Sequence, residues 1–321
     1  ADIAGSPLEI AEAVTTDASG IDEDVGISRV LQPDSASIDS VDSLPPTYPK
    51  APKFIGGERW CEYVVPKQYR ADTSWPLIVL LHGYQVDGVL QDMFFGLSQL
   101  VDELGFLMIR PNGTIDSQGY HFWDATMACC NRDQTNIDDV GYIHSLIDEM
   151  EMYFNIDRAR IYLMGHSNGG FMSYRLACDS GERFAGLMSL AGATFYNEDA
   201  CISDIPLAVL QVHGTDDSEI DYNGGKIKNI MPYPSAFETV ARWAAKNGCG
   251  ESNSLPNIDI DSDLSGAETS VEHWSDCTSG YDVALWTIQD GKHIPGVYDG
   301  RFARAAIEFL FAHRREVTES R

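Results

Sequence analysis

A serine stands between two glycines at the junction of a strand-like and a helix-like segment. Residues 165–169 read Gly-His-Ser-Asn-Gly, after the apolar run 161–164 and before the helix-like segment 171–178. A strand that turns directly into a helix crowds the backbone at the turn, and glycine relieves the crowding because it has no Cβ atom. Ser167 is then presented at the apex, where a base can reach it. This arrangement is typical of a nucleophile elbow.

Apolar runs alternate with helix-like periodicity along most of the chain. The runs lie at 60–65, 77–81, 106–109, 187–190, 207–212 and 283–288, and the helix-like segments at 93–104, 140–154, 235–247 and 302–310. The run at 77–81 is apolar throughout, as is typical of a strand that is covered on both faces. The alternation predicts an α/β fold with a doubly wound, mostly parallel sheet flanked by helices.

The first 50 residues differ from the rest in composition. They are rich in Asp, Glu, Ser and Pro and show no sustained periodicity. This composition predicts an acidic leader over 1–50 that is disordered or loosely docked. A single catalytic domain is expected over 51–321. The chain begins at Ala1 without an initiator methionine, as expected of a processed or trimmed form.

The charge balance limits the partners of the chain. It has 22 Lys+Arg against 49 Asp+Glu, which gives a formal net charge of -27. Nucleic acids and acidic membrane surfaces would be repelled, so we expect neither as a partner. No stretch has the roughly 20 consecutive apolar residues that a membrane helix requires, and membrane insertion is therefore not expected.

The seven cysteines match no zinc-binding pattern, and in an acidic chain that looks processed they favour disulfides. We therefore predict a secreted or periplasmic protein with one cysteine left unpaired. A bridge between Cys249 and Cys277 would tie the end of a helix to a strand across a polar insertion. The adjacent pair 129–130 can hardly bond to each other without strain. One member of that pair is expected to reach Cys178 or Cys201.

The elbow serine needs partners, because a serine hydroxyl is a weak nucleophile at neutral pH. His293 follows the last apolar run in a glycine-containing loop, and Asp216 and Asp217 follow the run at 207–212. In open α/β sheets the ligand crevice lies beyond the carboxyl ends of the strands, so these residues are expected to meet Ser167 there. The order serine, aspartate, histidine is that of an α/β-hydrolase. Position alone leaves either aspartate open as the acid.

Acyl transfer also requires donors for the oxyanion that forms on the substrate. The backbone N–H of Asn168, at the start of the elbow helix, is one candidate, and the N–H of Tyr84, after the run at 77–81, is the second. Four other histidines are interpreted as structural. They are His82 and His213 at strand ends, His166 with its side chain directed away from the serine, and His144 on a helix.

Several segments taken together resemble secreted esterases of the polyhydroxybutyrate-depolymerase and feruloyl-esterase type. They are Leu-Leu-His-Gly-Tyr at 80–84, Arg-Pro-Asn-Gly-Thr at 110–114, Phe-Trp-Asp-Ala-Thr at 122–126, Ala-Cys-Cys at 128–130, Asp-Asp-Val-Gly-Tyr at 138–142, Gly-His-Ser-Asn-Gly-Gly at 165–170 and His-Gly-Thr-Asp-Asp at 213–217. The resemblance implies an α/β-hydrolase fold, a Ser-Asp-His triad with Asp217 as the acid, no metal or other cofactor, and carboxylic ester substrates. The family's Gly-Gly-His-x-Trp-Pro-Gly segment is only Gly-Lys-His-Ile-Pro-Gly here, at 291–296, so the pocket wall beside His293 is expected to differ.

Two further features have both a functional and a structural interpretation. Trp123 and Tyr298 are candidates for a substrate-binding surface, and packing in the core or in loops is an equal alternative. The insertion at 257–268 has alternating carboxylates, as a calcium loop does, but it lacks the glycine of an EF-hand turn. We interpret it as a solvated acidic loop, with calcium binding as the alternative.

These observations predict a secreted serine esterase. The expected substrates are oligomers of hydroxyalkanoates or related aliphatic polyesters, because no appended polymer-binding module is evident. Feruloyl or acetyl esters of plant polysaccharide are the alternative. A serine peptidase and a non-catalytic binding module with a hydrolase fold are less favoured, the latter because serine, aspartate and histidine are all present.

Overall fold

The computed structural model describes residues 47–227 and 231–316. Apart from residues 47–50, the predicted leader over 1–50 lies outside these ranges, and the division into leader and catalytic domain stays a prediction. The described residues form one large, mostly parallel sheet with helices on both faces. This architecture confirms the predicted α/β-hydrolase fold.

Within the described ranges, nine strands form the large sheet and four form two short hairpins. The strands are β1 (Glu62–Val64), β2 (Trp75–Leu81), β3 (Leu107–Arg110), β4 (Thr114–Ile115), β5 (His121–Phe122), β6 (Ile156–His166), β7 (Gly186–Leu190), β8 (Ala208–Gly214), β9 (Gly225–Lys226), β10 (Pro232–Tyr233), β11 (Asn253–Ile258), β12 (Thr269–Trp274) and β13 (Val283–Ile288). The large sheet has the order β1-β3-β2-β6-β7-β8-β13-β12-β11. Pairing is parallel from β3 to β13 and antiparallel for β1, β12 and β11 at the edges.

The two faces of the sheet are covered by different helices. These are α1 (Gly88–Phe95), α2 (Leu97–Leu104), α3 (Asp139–Tyr153), α4 (Asn168–Ser180), α5 (Ala236–Lys246) and α6 (Arg301–Phe311). Helices α3, α4 and α5 pack on one face, and α1, α2 and α6 on the other. None of the helices in the described part of the chain is long and apolar enough to cross a membrane.

Strand β2 shows why its sequence is apolar throughout. Leu77, Val79 and Leu81 face the first of these layers, and Ile78 and Leu80 face the second. Side chains alternate between the faces of a sheet, so a strand with helices on both sides needs apolar residues at every position. Burial of each such side chain stabilises the fold by about 2 kcal/mol. The buried strand therefore fixes the position at which the loop after Leu81 begins.

The polar insertion after α5 has more structure than its sequence predicts. It contains β11 and β12, which extend the large sheet beyond β13 in antiparallel register. All but the last residue of β11 is exposed. An edge strand with little buried surface has no hydrophobic alternation, so its sequence resembles a loop.

The disulfides agree with one prediction and correct another. Cys249 is bonded to Cys277, as the sequence suggests, and Cys178 is bonded to Cys201. The prediction that one of Cys129 and Cys130 reaches Cys178 or Cys201 is wrong, because these two adjacent cysteines are joined to each other. The peptide bond between them is cis and brings their Cα atoms to 3.1 Å. Among the described cysteines Cys61 is unpaired, and it is buried.

Candidate active site

The turn between β6 and α4 has the geometry that its glycines require. Ser167 has φ 53° and ψ -118°, in a region that is costly for a residue with a Cβ atom. A Cβ atom on Gly165 would lie 2.2 Å from the Gly169 carbonyl oxygen, and one on Gly169 would lie 2.1 Å from the Leu81 carbonyl oxygen. No side chain fits at either position. The flanking glycines therefore allow the strand, the turn and the neighbouring strand β2 to approach closely.

Backbone hydrogen bonds hold the strained turn in place. The Ser167 N–H donates to the Leu190 carbonyl at 2.8 Å, at the end of β7, and the Phe171 N–H donates to the Ser167 carbonyl at 3.0 Å. The serine is thus fixed between a parallel strand and the first turn of α4. Its side chain lies at the carboxyl end of the sheet, the edge at which α/β enzymes bind ligands.

Asp217 and His293 are brought together from two neighbouring strands. Asp217 lies in the loop after β8, and His293 in the loop after β13. The His293 Nδ1–H donates to Asp217 Oδ2 at 2.8 Å, and the pair is buried. Asp216 is exposed, and only its backbone joins the two loops, by an N–H bond to the Gly291 carbonyl at 2.9 Å. The geometry therefore favours Asp217 as the partner of His293.

The Asp217 carboxylate is held in its charged form. Burial would raise its pKa, but hydrogen bonds from His213 and His293 act in the opposite direction and hold the pKa well below the usual range of an aspartate. Its Oδ1 also accepts the N–H groups of Glu219 at 2.9 Å and Ile220 at 2.8 Å. The His213 Nε2 lies 3.3 Å from Asp217 Oδ2 and 2.8 Å from the Ile220 carbonyl. His213 therefore stabilises the loop that presents the carboxylate.

The two predicted oxyanion donors lie close to Ser167. Asn168 follows it directly, and a Cβ atom on Gly83, which precedes Tyr84, would lie 3.6 Å from the Ser167 Cβ. Within the described ranges, the loop N–H of Tyr84 donates to no backbone group, and the first N–H groups of a helix have no partner inside it. In the described part of the chain both amides are thus close to Ser167 and without a backbone acceptor.

Trp123 does not line the pocket. Its side chain is completely buried, and its Nε1–H donates to the His82 carbonyl at 3.0 Å. Its backbone N–H donates to Asn168 Oδ1 at 2.7 Å, and its carbonyl accepts from Asn168 Nδ2 at 3.1 Å. The prediction that Trp123 forms a substrate-binding surface is therefore replaced by a supporting role, in which it fixes the first residue of α4.

Tyr298 is exposed but lies outside the residues that line the pocket around Ser167. Its hydroxyl donates to Asp263 Oδ1 at 2.8 Å, within the acidic insertion. In the same insertion the buried Asp261 accepts the Gly296 N–H at 2.8 Å. These contacts brace the loop that follows His293, so the carboxylates serve protein groups and Tyr298 is not placed to bind substrate.

Two buried histidines support the site from within. The His82 Nε2 accepts the Gly113 N–H at 2.8 Å, and its Nδ1–H donates to the Gly83 carbonyl at 2.7 Å. The His166 Nε2–H donates to the His293 carbonyl at 2.8 Å. Burial lowers the pKa of His82 to about 4 and that of His166 to about 3, so both rings are neutral. His166 lines the pocket, and its hydrogen bond is made to the backbone of His293.

The pocket above Ser167 has a volume of about 560 Å³. Val86, Leu90 and Phe94 contribute an apolar wall. Two charged residues that the sequence analysis did not single out, Arg132 and Glu219, also line it. Both belong to loops, and no local motif marks such residues. The volume is in the range that binds small organic molecules.

Comparisons with known proteins show the family of the chain. The sequence profile of a phospholipase/carboxylesterase family matches residues 62–231, more than half of the 321 residues. A bifunctional acetylxylan esterase/xylanase of Neocallimastix patriciarum is 25% identical over 226 residues, 70% of this chain and 29% of that protein. Feruloyl esterase B of Piromyces equi is 29% identical over 182 residues, 54% of this chain and 31% of that protein. The chain thus spans less than a third of either relative.

Solved structures extend the comparison to the fold. An acetyl xylan esterase from Aspergillus awamori has a TM-score of 0.55 at 14% identity, over 78% of this chain and 93% of that one. A thermostable esterase has a TM-score of 0.52 at 19% identity, over 80% of this chain and 59% of that one. At these identities the similarity concerns the α/β-hydrolase fold. The match of the family profile shows more: the chain belongs to the phospholipase/carboxylesterase family.

Proposed function

We propose that Ser167 is the nucleophile, His293 the general base and acid, and Asp217 the residue that orients the imidazole. The observation that carries this assignment is the buried His293–Asp217 hydrogen bond beside a strained serine in one pocket. Because Nδ1 carries the proton given to Asp217, Nε2 of His293 is available to accept the proton of the serine hydroxyl. The pair can thus activate Ser167 without a metal.

The reaction then follows from the placement of these groups. The Ser167 oxygen attacks the ester carbonyl, and its proton passes to His293. The N–H groups of Tyr84 and Asn168 bind the negative oxygen of the tetrahedral intermediate. His293 returns the proton to the leaving alcohol, which leaves an acyl group on Ser167. Water, activated by the same imidazole, hydrolyses this acyl-enzyme.

The relatives favour feruloyl or acetyl esters of plant polysaccharide over hydroxyalkanoate polyesters. The names of the two relatives from Neocallimastix patriciarum and Piromyces equi refer to acetylxylan and feruloyl esters, and neither name refers to a polyester. We therefore propose the alternative of the sequence analysis as the substrate class. The apolar wall of Leu90 and Phe94 supports it, because an aromatic acyl group can pack there while its ester bond reaches Ser167.

We also infer that the protein works outside the cytosol. Three disulfides join the described cysteines, and such bonds persist in oxidising compartments. Treatment of the intact protein with a thiol-reactive reagent tests this inference. Protein isolated from its source without reductant should label far less than protein that has been reduced and unfolded. Equal labelling of the two samples would contradict it.

A panel of esters tests the proposed function. Wild type and Ser167→Ala are compared on methyl ferulate, p-nitrophenyl acetate and a hydroxybutyrate trimer. Ser145→Ala, which removes an exposed hydroxyl on α3, is the control. We expect Ser167→Ala to lose at least about a thousandfold in kcat and Ser145→Ala to retain full activity. Wild type should prefer the ferulate or the acetate.

The possible failures have different meanings. Preference for the trimer would restore the polyester interpretation while leaving the triad intact. Residual activity of Ser167→Ala near that of wild type would remove Ser167 from the mechanism. Failure of wild type to cleave any ester in the panel would overturn the proposed substrate classes, and a peptide amide would be the next substrate to test.

A further inference from the structure

The catalytic pocket contains a guanidinium group that the proposed mechanism does not use. Arg132 lies in the loop after the 129–130 disulfide and lines the pocket together with Ser167 and His293. The chain is strongly acidic, with a formal net charge of -27. Its few cations are therefore expected to be neutralised by neighbouring carboxylates unless they serve another purpose.

Arg132 is not neutralised by an ion pair. Most other arginines in the described ranges pair with a carboxylate, among them Arg59 with Asp139 and Arg304 with Glu103. Within those ranges no carboxylate oxygen lies within 4.0 Å of the Arg132 guanidinium, the limit for an ion pair. All five of its N–H donors can therefore be offered to a molecule in the pocket.

The position of Arg132 is defined by an aromatic support. Its guanidinium lies over the ring of Tyr84, 4.3 Å from the ring centroid. The Tyr84 hydroxyl donates to Asp116 Oδ2 at 2.5 Å, and Asp116 Oδ1 accepts the Gln118 and Tyr120 N–H groups, each at 2.9 Å. Tyr84 is thus anchored at its hydroxyl and presents its face to Arg132. Stacking of this kind orients the planar fork that binds carboxylates.

A carboxylate, whose charge is opposite to that of Arg132, lies near His293, the proposed general base. The Glu219 Oε2 lies 4.0 Å from Nε2 of His293, and the Glu219 side chain is 67% exposed. The leaving alcohol must lie beside this nitrogen, because Nε2 gives it a proton. An anionic group on the alcohol would therefore meet Glu219 and be repelled.

Arg132 lies next to Tyr84, whose N–H belongs to the proposed oxyanion hole. The carbonyl carbon of a bound ester directs its oxygen toward this hole and its alcohol toward His293. The acyl chain must extend away from His293. Glu219 therefore marks the alcohol side of the pocket.

We propose that Arg132 binds a carboxylate at the far end of the acyl group, so that half-esters of dicarboxylic acids are a further substrate class of this enzyme. The methylene chain of such an acyl group would pack on Leu90 and Phe94. This class goes beyond feruloyl and acetyl esters. It rests on the proposed assignment of Ser167 and His293, since these residues define the two sides.

Three esters of similar size separate the possibilities. Methyl hexanoate is neutral, monomethyl adipate carries a carboxylate on its acyl part, and 4-acetoxybutyrate carries one on its alcohol part. Their kcat/KM values are measured by titration of released acid, on wild type, Arg132→Gln and Arg132→Lys. Arg70→Gln removes an exposed cation elsewhere, which pairs with Asp72, and controls for the change in net charge.

We expect wild type to prefer monomethyl adipate over 4-acetoxybutyrate. Arg132→Gln should lower kcat/KM for monomethyl adipate by about 10- to 100-fold, the effect of a lost charge-assisted hydrogen bond. Methyl hexanoate should change less than about threefold. Arg132→Lys should give an intermediate value because it keeps the charge but loses the fork. Arg70→Gln should resemble wild type.

Equal loss on methyl hexanoate and monomethyl adipate would overturn the proposal and make Arg132 a structural support of Tyr84. A selective loss on 4-acetoxybutyrate would overturn the assignment of the acyl side. Unchanged kcat/KM values of Arg132→Gln for both anionic esters would exclude recognition of either carboxylate and overturn the proposal. In each case hydrolysis of methyl hexanoate by wild type, and its loss in Ser167→Ala, reports on the proposed function separately.

Discussion

The proposed nucleophile and the proposed acid–base pair of this site are held in different ways. Ser167 is positioned by backbone, through the bond to Leu190 and glycines that leave no room for another atom. Asp217 and His293 are positioned by side chains and loops, through a carboxylate that accepts from an imidazole and two amides. The first arrangement depends on shape, and the second depends on charge and hydrogen bonds. Substitutions that change only one of these properties should therefore affect the two parts differently.

The largest expected effect comes from a substitution that removes the charge of Asp217 and keeps the shape of its side chain. Asp217→Asn should lower kcat by about 1,000- to 10,000-fold, because an amide no longer holds the proton on Nδ1 of His293. Asp216→Asn is the matched control one residue away, since the Asp216 side chain is exposed. We expect it to change kcat less than about threefold. The measurement is steady-state hydrolysis of p-nitrophenyl acetate. A large loss in Asp216→Asn and a small one in Asp217→Asn would reverse the assignment of the acid.

The next largest effect comes from a substitution that changes the shape of the elbow and leaves all charges in place. Gly169→Ala places a Cβ atom 2.1 Å from the Leu81 carbonyl oxygen, so β2 and α4 would have to separate. We expect it to lower the free energy of unfolding by about 3 kcal/mol or more, measured by urea denaturation. Gly250→Ala is the control, because a Cβ atom there meets nothing within 4 Å. If both variants are equally stable, close approach does not explain the elbow glycines.

The same contrast explains what the sequence could and could not predict. The elbow and the strand ends are local patterns, and the rule that ligands bind at the carboxyl ends of parallel strands brings Ser167, Asp217 and His293 to one edge. The roles of aromatic and charged residues depend on loops. Trp123 occupies a motif near the site, yet its ring is in the core, where its N–H finds a carbonyl. No motif in the sequence around Arg132 shows that its loop folds back over Tyr84.

The 129–130 disulfide and the edge strand β11 could not be predicted from the sequence, for related reasons. The 129–130 disulfide joins two adjacent cysteines, a pairing that the residue types alone do not indicate. Strand β11 has almost no buried side chain, so its sequence has no periodicity that identifies a strand. In both cases the structure depends on backbone geometry and on a neighbouring segment. Sequence reasoning works best where burial constrains the residue types.

The pH dependence of stability should separate His166, which supports His293, from the other buried groups. Its pKa is about 3 in the folded chain and about 6.5 when unfolded. Its contribution is therefore fully present above pH 6.5 and is lost as the pH falls toward 3, because only the unfolded chain binds the proton. The pKa of Asp217 is also lowered, so its contribution to the free energy of unfolding is lost only as the pH falls below about 4.

We expect the free energy of unfolding of the wild type to fall between pH 6.5 and pH 4.5. His166→Gln should reduce this slope by about 1 kcal/mol per pH unit, while the remaining slope reflects His82, whose pKa is about 4, and His144, whose pKa burial also lowers. Urea denaturation at several pH values in this interval measures both slopes. Parallel curves for the two proteins would show that His166 is not the neutral, buried group that the structure describes.

The smallest expected effect concerns the exposed carboxylate beside the acid–base pair. Glu219 lies 4.0 Å from Nε2 of His293, and its side chain is 67% exposed, so solvent screens most of its charge. Glu219→Gln should therefore lower kcat for methyl hexanoate by less than about fivefold, through weaker stabilisation of the imidazolium that forms in the transition state. Added salt should reduce this difference further.

The same variant should have the opposite effect on an ester with a carboxylate on its alcohol. Removal of the Glu219 charge relieves the repulsion on the alcohol side, so kcat/KM for 4-acetoxybutyrate should rise by a few fold. Monomethyl adipate should follow methyl hexanoate, since its carboxylate lies at Arg132. A rise for all three esters would show that Glu219 obstructs the pocket, and its charge would then have no part in the division between acyl and alcohol sides.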